Sequence, residues 1–580
     1  MRGRPGAVEF CRLPDTSSTV FTRAFFRIPG ECLTSFEWTN TLAHQAMDTT
    51  SLSTIREIVS NIRSKTISPV EIVEAHLKRI EKLQPRLNAF HHLDADAARK
   101  AAHAAETAVS RGAQLGPLHG IPLTIKSCID VAGWPCPAGS LLRKAYVPRQ
   151  DAPLATRLKA AGAILLGNTN TPEFLMAYET DNLLVGKTSN PWNLTRSAGG
   201  SSGGEAAAIA AGCSTGGVGS DGGGSIRVPA HFCGICGLKP TPGRIPSTGH
   251  FPPGAGAFSW IGVVGPLART TEDVRLLFEV MAGPDAGDAL FAPVPLRRHS
   301  ESELRGLRVG ILESEALGTA TPETLAAVER AAKSLSEREF IVEPFRLAGL
   351  DRALELWWLF FGPVIGHLLR QSVAGHEAEI SPMLLEYLSC AASGNPITLD
   401  QFIEACAKRD LLRAEILRQM RDVPILLSPI SSITAFRHGG GNYKPGTGYR
   451  DTMRYSQWLN LAGFPGASVP IGVSSEGLPI GVQVIGRPFE EQLVLAIAEA
   501  IEQARGPWQC PPPWMPHDVF QSFRYARDAV MPFPSVSVSV RPADTLVNSS
   551  TCPLGQRIST ASARACCPRP KVRTSSLADR

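Results

Sequence analysis

The chain has 580 residues, with 43% hydrophobic and 19% charged side chains and a formal net charge of +5, the balance of a globular protein with a sizeable core. No apolar run approaches the ~18 residues needed to cross a bilayer, which excludes a transmembrane helix. Residues 541–580 hold seven Lys/Arg against two Asp and carry the whole basic excess, so the near-neutral remainder lacks the electrostatic footprint of a nucleic-acid partner.

Residues 1–46 contain five Arg, four acids and no apolar core of signal-peptide type, and read as an irregular N-terminal extension. Beyond Met47, Val70, Val73, Leu77 and Ile80 recur at helical spacing after Pro69, and residues 94–112 are alanine-rich; both predict helices. Ile121–Lys126 reads as a strand, Pro153–Ala161 as a helix, and Ala163–Leu166 as a buried strand. Thr270-Thr271-Glu272-Asp273 fits a capping box opening a helix through Met281. Leu307–Leu312 and Leu478–Ile485 are strand-like, whereas Pro322–Glu337 and the face marked by Leu493, Ile497 and Ile501 are helical. This alternation predicts an α/β domain. Residues 352–420, rich in Leu and aromatics, read as a helical cover over the sheet. Residues 514–580 form a basic tail, rich in Ser, Pro and Arg after about 534, that cannot bury enough surface to order itself.

Thirteen scattered cysteines, an odd number, point to reduced thiols and a cytoplasmic location. Cys233 and Cys236 form a lone Cys-x-x-Cys with no second ligand pair at zinc spacing, and read as two buried small residues in a tight turn. Gly217-x-Gly219-x-x-Gly222 satisfies a dinucleotide-binding pattern, but no Asp or Glu occurs between Gly222 and Thr271 to hold a ribose.

The densest chemistry lies in Ser197–Glu205 and Gly219–Arg227, two serine- and glycine-rich runs, with Lys126 ending an apolar run upstream. Glycine this dense suits a backbone that approaches a reacting group and presents N–H donors to it. Two serines and one lysine are enough for a hydroxyl nucleophile, a proton relay and a base. Taken singly, Lys126 could end a strand at the surface, and Ser201 and Ser202 could cap a helix at Glu205–Ala211.

Gly199-Gly200-Ser201-Ser202-Gly203-Gly204, Gly219–Ala230 and Cys236–Thr241, with Leu118–Lys126, Asn460–Pro470 and Gly477–Gln483, together resemble the amidase signature family over roughly residues 48–512. The resemblance implies a single large α/β domain with a central mixed sheet flanked by helices. It implies a Ser-Ser-Lys triad forming an acyl-enzyme, with Ser225 as nucleophile, Ser201 as relay after a cis peptide, and Lys126 as base. Such a base must be neutral, which burial favours by penalising the charged form. The N–H groups of Gly222, Gly223, Gly224 and Ser225 would form the oxyanion hole. Ser202, Asp221 and Arg227 would support the site, and His231 and His250 would be structural. Gly222 stands where the family usually carries a larger residue, so a looser loop is expected. Variable segments around Phe174–Thr180, Trp357–Phe361 and Ala435–Ser456 would build an apolar acyl pocket. No metal or organic cofactor is implied. The related A subunit of a glutamyl-tRNA amidotransferase carries a Tyr-Gly segment that Ile380–Ile416 does not resemble. The expectation is therefore a stand-alone amidase acting on a small-molecule amide, without nucleic acid and with a homodimer as a plausible assembly; the alternatives are that A subunit or a catalytically dead homologue.

Overall fold

Helices Ile55–Arg63 and Pro69–Leu87 both open on complete capping boxes, Thr54 with Glu57 and Ser68 with Glu71, and Pro69 occupies the first turn of the second. The computed structural model describes residues 51–394, 396–440 and 448–511. The expected extensions 1–46 and 514–580 lie outside the described residues, as does part of the Ala435–Ser456 segment.

The alternating elements assemble into one eleven-stranded mixed sheet. Its first half is built from β1 (Phe90–Leu93), β2 (Pro122–Lys126), β3 (Ile164–Thr169), β6 (Gly216–Asp221), β7 (Cys236–Lys239) and β8 (Val263–Ala268). The second half comprises β9 (Arg308–Glu313), β10 (Ile341–Arg346), β11 (Ile425–Pro429), β12 (Gly466–Val473) and β13 (Pro479–Gly486), while β4 (Ser189–Asn190) and β5 (Asn193–Ser197) form a separate hairpin. The order is β1-β3-β2-β6-β8-β7-β12-β13-β11-β9-β10.

Connection type decides strand direction. Crossovers through helices Pro153–Ala160, Gly203–Ala210 and Pro322–Ser336 bring β3 and β6 parallel to β2, and β10 parallel to β9. The short turn between β12 and β13 makes that pair antiparallel. Strands β2, β3, β6, β8 and β13 are buried along their whole length, as continuous apolar or glycine-rich runs require when both faces are covered.

Two local expectations change. Thr270 accepts from the Asp273 N–H, but the Asp273 carboxylate turns away from a reciprocal box and accepts from the N–H groups of Ile55 (3.0 Å) and Arg56 (3.2 Å). A long-range contact thus outcompetes the local one. Ser202 does precede helix Gly203–Ala210, yet its side chain makes no capping bond; it is directed to Lys126 instead. Cys233 ends a helix and Cys236 begins β7, both buried and both free thiols.

The helices over 350–419 pack as Leu350–Leu359, a π-turn at Phe360–Val364, Ile365–Val373, Pro382–Ala392 and Leu399–Gln419. They bring Trp357 and Phe361 over the loop that follows β6. Among the described residues no helix is long and apolar enough to cross a membrane.

Candidate active site

Lys126 ends β2 and Asp221 ends the neighbouring parallel strand β6, so both stand at the carboxyl edge of the sheet, where open α/β sheets place their ligand sites. The Lys126 side chain is fully buried. Its Nζ lies 2.7 Å from Ser201 Oγ, 3.0 Å from Ser202 Oγ and 3.0 Å from Ser220 Oγ. Burial pushes its pKa down to about 8, against a partial restoring pull from Cys128, Asp221 and Glu205. The Gly200–Ser201 peptide is cis. Behind the lysine, burial raises the Glu205 carboxyl to about 7, opposed by hydrogen bonds from Thr124 and Thr169 and by Lys126.

Ser225 and Ser201 line one narrow slot of about 20 Å³, whose walls include Leu175, Met176, His250, Phe258 and Phe361. That is room for about one water. Among the described residues Ser225 Oγ makes no hydrogen bond, so the Ser201–Ser225 relay contact is not formed here. Contacts of this kind often close only around a substrate.

The glycine loop is held from three sides. The Asp221 carboxylate accepts from the N–H groups of Gly224 (2.7 Å) and Ile226 (3.0 Å). This differs from the expectation for Gly224: its N–H is committed to the Asp221 carboxylate, three residues earlier on the same turn. The N–H groups of Gly222, Gly223 and Ser225 have no partner among the described residues and remain the available donors. Asp221 is paired with Arg227, Nε to Oδ2 at 3.0 Å and Nη2 to Oδ1 at 2.9 Å, both side chains fully buried. Burial alone would raise the Asp221 carboxyl, but the Arg227 guanidinium outweighs it and holds the group well below the usual carboxylate range.

Sequence reading assigned no role to Ser220, Tyr178, Asn460 or Gln483. Ser220 shares the Lys126 ammonium. Tyr178 donates to the Gly223 carbonyl at 2.6 Å. Asn460 donates to Asp221 and Gln483 accepts from Arg227 at 2.6 Å. The signal for Gln483 was present: it is the one polar side chain in the motif Gly477–Gln483. Trp357, expected to line the pocket, donates from Nε1 to the Gly222 carbonyl at 3.0 Å, and its ring lies where a Gly223 Cβ would come within 2.6 Å. The three-glycine loop is therefore clamped from the helical cover, contrary to the looser loop expected. Trp357→Phe keeps the ring but loses the bond, and should lower kcat about tenfold, the equivalent of one hydrogen bond of ~1–1.5 kcal/mol; an unchanged kcat in steady-state assays would deny the clamp a role.

His231 is buried away from the slot, accepting from the Gly481 N–H at 2.8 Å and facing the Ile433 carbonyl at 3.1 Å. His250, also expected to be structural, instead forms part of the slot wall.

Comparison with known proteins identifies the fold and chemistry. A profile described as Amidase matches residues 71–495. The A subunit of glutamyl-tRNA(Gln) amidotransferase from Geotalea daltonii is 34% identical over 474 residues, spanning 78% of this chain and 96% of that protein. Among solved structures, a bacterial aryl acylamidase of the amidase signature family superposes with a TM-score of 0.69 at 29% identity, over 83% of this chain and 99% of that one. A chain from a vestigial protein complex bearing on the origins of an s-triazine catabolic enzyme superposes with a TM-score of 0.72 at 32% identity, over 79% of this chain and all of that one.

The chain belongs to the amidase signature family and is a hydrolase of amide C–N bonds. The relatives also overturn one expectation. A stand-alone enzyme on a small-molecule amide, free of nucleic acid and at most paired with its own copy, does not agree with relatives that belong to a multi-subunit amidotransferase.

Proposed function

We propose that this member of the amidase family cleaves a carboxamide to an acid and ammonia or an amine through an acyl-enzyme on Ser225, within the unit 48–512. The observation that carries the reading is the 2.7 Å contact between a fully buried Lys126 and Ser201, in the slot that also holds Ser225. Neutral Lys126 takes the Ser201 proton while Ser201 takes that of Ser225, whose oxygen attacks the carbonyl carbon. The oxyanion that forms meets the free N–H groups of Gly222, Gly223 and Ser225, each worth a few kcal/mol of barrier. Collapse of the tetrahedral intermediate breaks the C–N bond, and the proton returns through Ser201 to the leaving nitrogen. Water then repeats the sequence on the ester.

The relatives support a second element, that the chain acts as the amide-cleaving member of an assembly, since several of them are A subunits of glutamyl-tRNA(Gln) amidotransferases. Among the described slot residues the one carboxylate, Asp221, is committed to Arg227. If glutamine is the amide donor, its amino-acid head must therefore be held outside the slot. The free thiols of the described cysteines suit the reducing cytoplasm.

Peptide mass spectrometry after incubation with a fluorophosphonate tests the chemistry. A single adduct on Ser225, absent after heat denaturation, is the expected result. An adduct on another serine, or none on folded protein, would remove Ser225 from the nucleophile's role.

A further inference from the structure

His250 lies in the loop between β7 and β8, held by a backbone bridge to Ile129, three residues beyond Lys126. It is 9% exposed and walls the slot that contains Ser201 and Ser225. Its Nδ1 is 2.8 Å from the Pro252 carbonyl oxygen. A carbonyl can only accept, so Nδ1 carries the ring proton and Nε2 is a bare lone pair. Among the described residues nothing donates to Nε2. Burial lowers the imidazole pKa to about 4, outweighing the Pro252 contact, so the ring is neutral. Phe258 stacks on it at 6.1 Å and 20°, and with Leu175, Met176 and Phe361 makes the neighbouring wall apolar. An acceptor buried in such surroundings has a strong demand for a donor.

We propose that His250 Nε2 accepts a hydrogen bond from the scissile amide N–H of the substrate, making His250 a positioning residue that selects amides over esters. The inference rests on the amide-cleaving reading above. During C–N cleavage the nitrogen must turn its lone pair toward Ser201, which returns the proton. Its N–H then points to another part of the wall, to which His250 contributes with Nε2 as its unpaired acceptor. The imidazole keeps its own proton throughout and exchanges none. An ester places an oxygen without hydrogen at the same point and gains nothing from His250.

The test compares kcat/KM for an anilide and the phenyl ester of the same acyl group in the wild type, His250→Phe and His250→Gln. Phenylalanine keeps the ring and its stack on Phe258 but has no acceptor; glutamine offers Oε1. The amide-to-ester ratio should fall at least tenfold in His250→Phe and recover most of that loss in His250→Gln. A ratio in His250→Phe equal to the wild type's would overturn the proposal, whether or not both rates fall together, because a merely structural histidine would affect both substrates alike. Ester cleavage by a wild type that leaves the anilide intact would overturn the amide reading and this inference with it.

Discussion

Lys126→Met is expected to lower kcat by about 10³- to 10⁴-fold, at the upper end of what a positioned acid–base group contributes, while leaving the protein folded. Methionine fills nearly the same space, and no other described basic side chain contacts Ser201. The wild-type rate should depend on pH through the same group. In the proposed mechanism the neutral lysine is the active form, and its pKa is held down at about 8, so kcat/KM should climb with pH and level off above about 8. Stability should also rise with pH, over a higher range than activity. The native pKa lies below the unfolded value near 10.5, so below pH 8 both states hold the proton and the full cost of burying it is present. Between pH 8 and 10.5 the native state releases its proton first and that cost fades. The melting temperature of Lys126→Met should therefore equal or exceed the wild type's at pH 7, with the margin shrinking by pH 10. Calorimetry at the two pH values, beside steady-state rates, checks both halves. A variant retaining a tenth of wild-type kcat would exclude Lys126 as the base.

Asp221→Ala should be the most destabilising single change at the site, by about 3–5 kcal/mol, because it strands the Arg227 guanidinium in the interior. Both side chains are fully buried, and Asp221 also holds the Gly224 and Ile226 N–H groups. Arg227 in turn reaches Gln483 and Asn460 at 2.6 Å each, so the loss would extend from the glycine loop to β13 and helix Arg454–Ala462. The double variant Asp221→Ala/Arg227→Met should recover more than half of the stability, since it removes the stranded charge. Its activity should stay low, because the loop would still lack its carboxylate anchor. The native carboxyl pKa is depressed, so the pair's contribution is complete above the unfolded value near ~3.9 and lost as pH falls further. Urea unfolding at pH 7 measures the cycle; additive single and double effects would mean the two groups are not coupled.

Much of this site could be read directly from the chain. Lys126 follows an apolar run, and such a run is a strand buried on both faces, which accounts for the lysine's burial. The serine- and glycine-rich runs singled out Ser201, Ser202 and Ser225 because glycine this dense marks a closely approached backbone, and the packing agrees: a Cβ at Gly200 or Gly204 would come within 2.8 Å of neighbouring backbone. The alternation of apolar segments gave the α/β class, and most element boundaries fall within a residue or two of those observed. These features are local, set by side-chain periodicity and backbone freedom over a few residues.

Other features depend on residues far apart in sequence. Asp273 gave up a local capping box for the backbone of Ile55 and Arg56, 218 and 217 residues away, because burial rewards whichever donors reach a carboxylate first. Gly224 lost its place as an oxyanion donor to a side chain three residues earlier, a competition decided by turn geometry rather than composition. Trp357 reached the glycine loop across 135 residues, and His250 entered the slot through a bridge to Ile129. The sequence by itself determined the class of fold and singled out the side chains proposed to react, since both readings rest on short-range chemistry. Only the tertiary structure decided which N–H groups stay free, what clamps the loop and which buried acceptor is left without a donor, because hydrogen-bond partners are assigned by distance in three dimensions.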